Sequence, residues 1–167
     1  MPIAGWLRTE FSIASIVVVL DQTAKAVVRS RFELHDSVEV IPRFFNLARV
    51  HNYGAAFGLM NAADFPFRTV VLSVVAAVAL GALTWYGATL PAPQRLARVG
   101  LALIVGGAAG NLVDRLSFGY VVDFVDVYWR GWHFWAFNVA DAAITVGVSL
   151  MILDLLEIGR RRVSRTV

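Results

Sequence analysis

The acids that border the long apolar runs are the groups in this chain that could do chemistry. Two of them, Asp123 and Asp141, lie in Val122-Asp123-Phe124 and Phe137-Asn138-Val139-Ala140-Asp141. A third stretch, Gly106-Gly107-Ala108-Ala109-Gly110-Asn111-Leu112-Val113-Asp114-Arg115, closes another apolar run with an amide, an acid and a guanidinium. At the centre of a bilayer an Asp costs roughly 2.5–3.5 kcal/mol on insertion scales, so a function that offsets the cost is the default hypothesis. Two close carboxylates cannot readily both ionise: one holds the proton, and the other can take a proton from water. That is the logic of aspartic proteolysis, in which base-activated water attacks a carbonyl and the protonated acid assists the oxyanion and the leaving amine. Asn111, Asn138 and Arg115 are then available to orient the pair or to bind substrate carbonyls.

Few other chemistries are open. The chain has no Cys, which removes disulfides, thiolate metal sites and thiol nucleophiles together. No Ser or Thr stands with a His and an acid in a recognisable triad, and no His-Glu-x-x-His occurs. His51 has no metal partner in the sequence and reads as structural. No cofactor and no metal are therefore expected. The rival use of buried acids is a proton or ion relay in a transporter. Four short spans, with no repeat and no pair of broken helices, count against it. The residues alone leave both chemistries open.

The elements that must position these groups are membrane spans. Of 167 residues, 58% are hydrophobic and 16% charged, with mean hydropathy +0.66. A soluble domain runs at about 45–50% apolar and about 25% charged. The apolar residues fall in blocks near the length of about 20 that a helix needs to cross a bilayer. Four spans fit, at about 11–28, 65–86, 99–116 and 136–158, within a single domain over 1–167. The first reads as an uncleaved helix, because Thr23-Ala24-Lys25 is a poor signal-peptide cleavage site. Asp21 and Lys25 stand i,i+4 on one face of it and can pair, either as a self-neutralising unit or as part of a larger polar site. The small residues Ala76, Ala77, Ala79, Gly81 and Ala82 give the second span a packing role, and Gly106, Gly107 and Gly110 allow close backbone approach in the third.

Two segments break the membrane pattern. Within 30–64, Val38–Ile41 and Phe44–Val50 are short runs of β-branched and aromatic residues split by Pro42-Arg43, and they predict a small extramembrane sheet. His51-Asn52-Tyr53-Gly54-Ala55-Ala56-Phe57-Gly58 follows, readable as an ordinary turn or as a polar rim over a site at membrane level. Between Ser117 and Trp135, the rings of Tyr128, Trp129, Trp132, Phe134 and Trp135 read as a loop forming an interfacial belt.

The charge of +3 and pI of about 9.8 do not point to nucleic acid, since the basic residues flank apolar runs. Arg8, the Arg95 and Arg98 loop, and Arg160, Arg161, Arg162 and Arg165 place both termini and the middle loop in the cytoplasm by the positive-inside rule. The sheet segment and the aromatic loop then lie outside. At a rise of about 1.5 Å per residue, Asp21 and Asn111 sit roughly 10 Å below the outer ends of their spans, and Asn138 and Asp141 within roughly 8 Å of theirs. Polar groups from three helices thus meet at one level, just inside the outer face.

Five stretches together resemble the lipoprotein signal peptidase (signal peptidase II) family. They are Asp21-Gln22-Thr23-Ala24-Lys25, Asn52-Tyr53-Gly54-Ala55-Ala56-Phe57, Gly106 through Arg115, Val122-Asp123-Phe124 and Phe137 through Asp141. They come in the family's order and spacing over nearly the whole chain. The resemblance implies an all-α membrane protein with four spans and a small periplasmic sheet, in the bacterial inner membrane. It implies an aspartic endopeptidase that removes the signal peptide of prolipoproteins, just before a cysteine already carrying diacylglycerol. The family's catalytic pair falls on Asp123 and Asp141. Its substrate and inhibitor positions fall on Asn52, Gly54, Asn111, Arg115 and Asn138, and structural polar positions on Asp21, Lys25 and Asp114. Expected partners are diacylglyceryl-modified prolipoproteins, membrane lipid and globomycin-type cyclic peptide inhibitors, with the enzyme acting as a monomer. A lipidated substrate is expected to enter sideways from the outer leaflet, with the Asn52 loop closing over the peptide.

Overall fold

A computed structural model describes residues 3–54, 67–91 and 93–163. The chain runs α1 (Ile3–Arg31), β1 (Ser37–Ile41), β2 (Phe45–Asn52), α2 (Arg68–Thr89), α3 (Arg95–Phe118), β3 (Val121–Trp129), β4 (Trp132–His133) and α4 (Val139–Val163). All four helices are long and apolar enough to cross a membrane. Val17-Val18-Val19 in α1 and Val70, Val71, Val74, Val75 and Val78 in α2 are β-branched and would favour strands in water. In lipid, a spanning backbone must satisfy its own N–H and C=O groups, so runs of this length become helices regardless. The outward-facing valines of α2 stay exposed, as a lipid-facing surface requires.

The helices overrun the expected spans. α1 continues past residue 28 to Arg31, and α3 starts at Arg95 and ends at Phe118, not at 99 and 116. Hydropathy marks the apolar section of a helix, while backbone hydrogen bonding carries on into the polar region. α4 is the opposite case. It begins at Val139, not 136, because Asn138 caps it. The expected start of the second span at 65, and Asp64, lie outside the described residues.

α3 is the central helix, packed against α4, α1 and α2. A Cβ on Gly107 would collide with the carbonyl oxygen of Ala140 in the first turn of α4, and one on Gly110 would lie 2.6 Å from the Asp21 carboxylate of α1. These glycines let α1 and α4 approach at the level of the acids. At the other end of α1, Glu10 pairs with Arg98 of α3 at 2.6 Å.

The expected sheet is present, but it is larger than its segment. It has four antiparallel strands in the order β1-β2-β3-β4, and half of them come from the stretch read as an aromatic loop. Val121–Tyr128 is dense in β-branched and aromatic residues, and Arg130 and Gly131 form a turn with φ of 51° and 81°. The alternation was obscured because Asp123 and Asp126 fall on opposite faces. Gly119, at φ 80°, caps α3 through its N–H on Arg115 O and turns the chain straight into β3. β2 then pairs with β3, Asn52 opposite Val121 and Val50 opposite Asp123. Val28, Val122 and Phe124 form the core beneath the sheet.

Candidate active site

Asp123 and Asp141 reach one site from different elements. Asp123 is on β3, and Asp141 is in the first turn of α4. What joins them is the pairing of β3 with the residue that precedes the α4 cap. Phe137 O accepts from the N–H groups of Phe124 and Val125 at 3.0 and 2.8 Å, and Phe137 N–H donates to Val125 O at 3.1 Å. This holds Asn138 beside Asp123.

Asn138 then serves both acids. Its Oδ1 accepts from the Asp141 N–H at 3.0 Å, while its own N–H donates to Asp141 Oδ2 at 3.2 Å. This reciprocal pattern is a capping box, which satisfies two orphan donors at the helix start. The Nδ2 of the same residue donates to Asp123 Oδ1 at 2.6 Å. Asn52, at the end of β2, donates to Asp123 Oδ2 at 3.0 Å. Asn111 of α3 donates to Asp141 Oδ1 at 2.8 Å. Each oxygen of each carboxylate therefore accepts from an amide, and no cation touches either in the described residues.

Asp123 is 2% exposed. Burial first, and the neighbouring Asp141 carboxylate second, push it up to about 7, against the opposing pull of the Asn52 and Asn138 amides and of Lys25. At neutral pH a proton is thus available at the pair.

Asp21, Lys25 and Asp114 form a second cluster directly beneath, each fully buried. The Lys25 Nζ lies 2.8 Å from Asp21, 3.0 Å from Asp114 and 2.8 Å from Asn111 Oδ1. Asp21 Oδ1 accepts from the Ala140 N–H at 2.9 Å, and Asp114 Oδ2 from the Val122 N–H at 3.0 Å. Each acid thus holds the backbone one residue before a member of the upper pair. Gln22, which carried no signal beyond lying in a motif, bridges Asp21, Asp114 and Gly110 O at 3.0–3.2 Å.

The Arg115 Nη2 donates to Gly54 O at 3.1 Å, and Gly54 N–H donates to Asn52 Oδ1 at 3.0 Å, so the turn after β2 is tied over the pair. Ala55, Ala56, Phe57 and Gly58 of that turn lie outside the described residues. His51 stacks on Tyr120, with ring centroids 3.7 Å apart. The structure brings every singled-out site residue into one connected set. Asn111 and Asn138 turn their side-chain NH2 groups onto the carboxylates, the orienting role open to them from the sequence. The Asn-x-x-Asp spacing is a local signal for the cap at Asn138 that the expected start at 136 did not use.

A water between two such acids can be deprotonated by one while the other protonates a carbonyl oxygen, which is the chemistry of peptide-bond hydrolysis.

Comparison with known proteins agrees in extent and kind. The family described as signal peptidase (SPase) II matches residues 13–157. The lipoprotein signal peptidase of Symbiobacterium thermophilum is 43% identical over 89% of this chain and 95% of its own. That of Geobacter metallireducens is 44% identical over 91% of this chain and 93% of its own. Two bacterial membrane enzymes solved by the in meso method, at 2.3 and 1.9 Å resolution, superpose with TM-scores of 0.79 and 0.80 at 34% and 32% identity. The alignments cover 89% of this chain in each case, and 88% and 92% of the two enzymes.

Proposed function

The chain belongs to the signal peptidase II family, and from that premise we propose that it is an aspartic endopeptidase of the bacterial inner membrane. It removes the signal peptide of prolipoproteins, cutting before the diacylglyceryl-modified cysteine. The observation that carries this reading is the buried Asp123–Asp141 pair, bridged by Asn138, with Asp123 pushed up to about 7 by burial. Water bound between the acids attacks the scissile carbonyl. One acid takes its proton while the other protonates the carbonyl oxygen, and collapse of the diol expels the amine.

Asn52, Gly54, Asn111, Arg115 and Asn138 surround the pair and line the substrate path. Both termini lie in the cytoplasm, and the pair lies near the periplasmic face beneath the sheet. That depth suits a substrate whose acyl chains stay in the outer leaflet while its peptide reaches the acids. A globomycin-type cyclic peptide would compete for the same place, and the enzyme acts as a monomer.

The test is gel-shift cleavage of a diacylglyceryl-modified prolipoprotein, with its unlipidated form alongside, by wild type and Asp123→Asn. Cleavage of the lipidated form by the wild type alone is expected. Equal cleavage of both substrates would remove the lipid requirement. An inert wild type in a competent bilayer would redirect attention to proton-coupled flux in liposomes.

A further inference from the structure

Lys25 has no part in the hydrolysis just described, yet it is fully buried beneath the residues assigned to it. Its ammonium is met by three acceptors, on Asp21, Asp114 and Asn111. An ammonium can only donate. The Asn111 amide can therefore face Lys25 only through its oxygen, and its NH2 must point the other way, onto Asp141 Oδ1. Asn138 Nδ2, a second donor 3.2 Å from Asn111 Oδ1, enforces the same orientation.

The charged groups acting on Asp141 are Lys25 and Asp21 from α1, Arg115 from α3 and Asp123 from β3, with Asp114 of α3 paired to Lys25 at 3.0 Å. Asp141 also occupies the first turn of α4, whose dipole favours an anion, and its Oδ2 accepts from the Asn138 N–H there. Asp123 lies on a strand and has neither a helix terminus nor an amide oriented by a cation.

We infer that Lys25 is a positioning residue for the peptidase reaction. Through the Asn111 amide it fixes Asp141 as the ionised, water-activating carboxylate and leaves the shared proton on Asp123. This rests on the reading under Proposed function. Asp141 takes a proton from water as the water oxygen bonds to the carbonyl carbon, and Asp123 gives its proton to the carbonyl oxygen. As the C–N bond breaks, Asp141 returns its proton to the amine and Asp123 recovers one from the diol. Both acids end as they began.

A purely structural lysine predicts something different, and two variants separate the cases. Asp21→Asn/Lys25→Met removes one charge of each sign and leaves Asp114 opposite Arg29, 3.6 Å away. Cooperative melting should survive in this full-length double variant. Its kcat should fall about 100-fold with KM within about threefold, as for a misplaced catalytic group. The acidic limb of its pH–rate profile should rise by about one pH unit, because the base has lost its support. Turnover within about threefold of wild type, with an unchanged limb, would overturn the inference.

Asn111→Asp keeps a partner for Lys25 and so guards against a double variant that does not fold. It sets an acceptor against Asp141, and one of the two must then bind a proton. Infrared difference spectra at neutral pH should show an added protonated-carboxyl band, and its absence would equally overturn the inference. This arm needs no substrate. A wild type that cleaves nothing would therefore defeat the peptidase reading, while the spectra still decide the orientation of Asn111.

Discussion

Two pairs of buried carboxylates lie one above the other in this protein, and they are opposites. Asp21 and Asp114 share a lysine between them, and their oxygens also hold backbone N–H groups of α4 and β3. Asp123 and Asp141 have amides only. Lys25 and, opposite Asp114, Arg29 at 3.6 Å balance the lower pair, so its charge goes into holding α1, α3, β3 and α4 together. The upper pair has no cation in direct contact among the described residues, Lys25 and Arg115 acting on it only from a distance, and burial raises the proton affinity of Asp123. Burial alone does not mark a reactive acid. What marks the upper pair is burial without a cation in direct contact.

The sharpest way to break this contrast is to neutralise one acid of each pair. Asp123→Asn or Asp141→Asn should abolish cleavage, by about 10³-fold or more, given that acid–base groups contribute about 10²–10⁴-fold each. Melting in detergent should hardly change, since Asn is nearly isosteric with Asp and brings no charge into the buried site. If either variant kept substantial turnover, the pair would be misassigned.

The lower pair should respond in the reverse sense. Lys25→Met alone strands two buried acids and should cost about 3–5 kcal/mol of stability, the usual penalty for breaking a buried ion pair. Denaturant or thermal unfolding would read this directly, and a loss under about 1 kcal/mol would mean that the cluster is not the brace described here.

Gly107→Val probes the packing that brings the two levels together. Overpacking against Ala140 should cost about 1–3 kcal/mol and displace the first turn of α4, so cleavage should fall along with melting temperature.

The remaining contrast is in pH dependence. Asp123 in the folded chain binds its proton more tightly than an unfolded Asp, about 7 against about 3.9. The folded state therefore carries the extra proton between those values, and stability falls as pH rises from about 4 to about 7. Melting curves across that window should shift downward for the wild type and flatten in Asp123→Asn. Parallel shifts in the two proteins would place the titration elsewhere.

Much of this architecture was legible in the chain. Four apolar blocks near the thickness of a bilayer specify four helices whatever their β-branched content, because lipid offers the backbone no other partner. The acids stood out because such blocks exclude them. The five motif stretches together matched a single family. The cap at Asn138 and the stop at Gly119 are local signals too, but hydropathy passed over both and set the span ends at 136 and 116.

Which acids keep their charge was not legible. Asp21 and Lys25 are four residues apart, but Asp114 is contributed by another helix, and only the packing of α1 on α3 through Gly110 brings it to the same ammonium. β3 escaped a local reading because a strand is defined by what it pairs with, and its partners β2 and Phe137 come from both sides of it in the chain. The sequence by itself determined that carboxylates would sit at membrane depth. Tertiary structure decided which of them a lysine would neutralise and which would be left to exchange a proton. Counter-charges act through space over a few ångströms, and spacing along the chain does not record that distance.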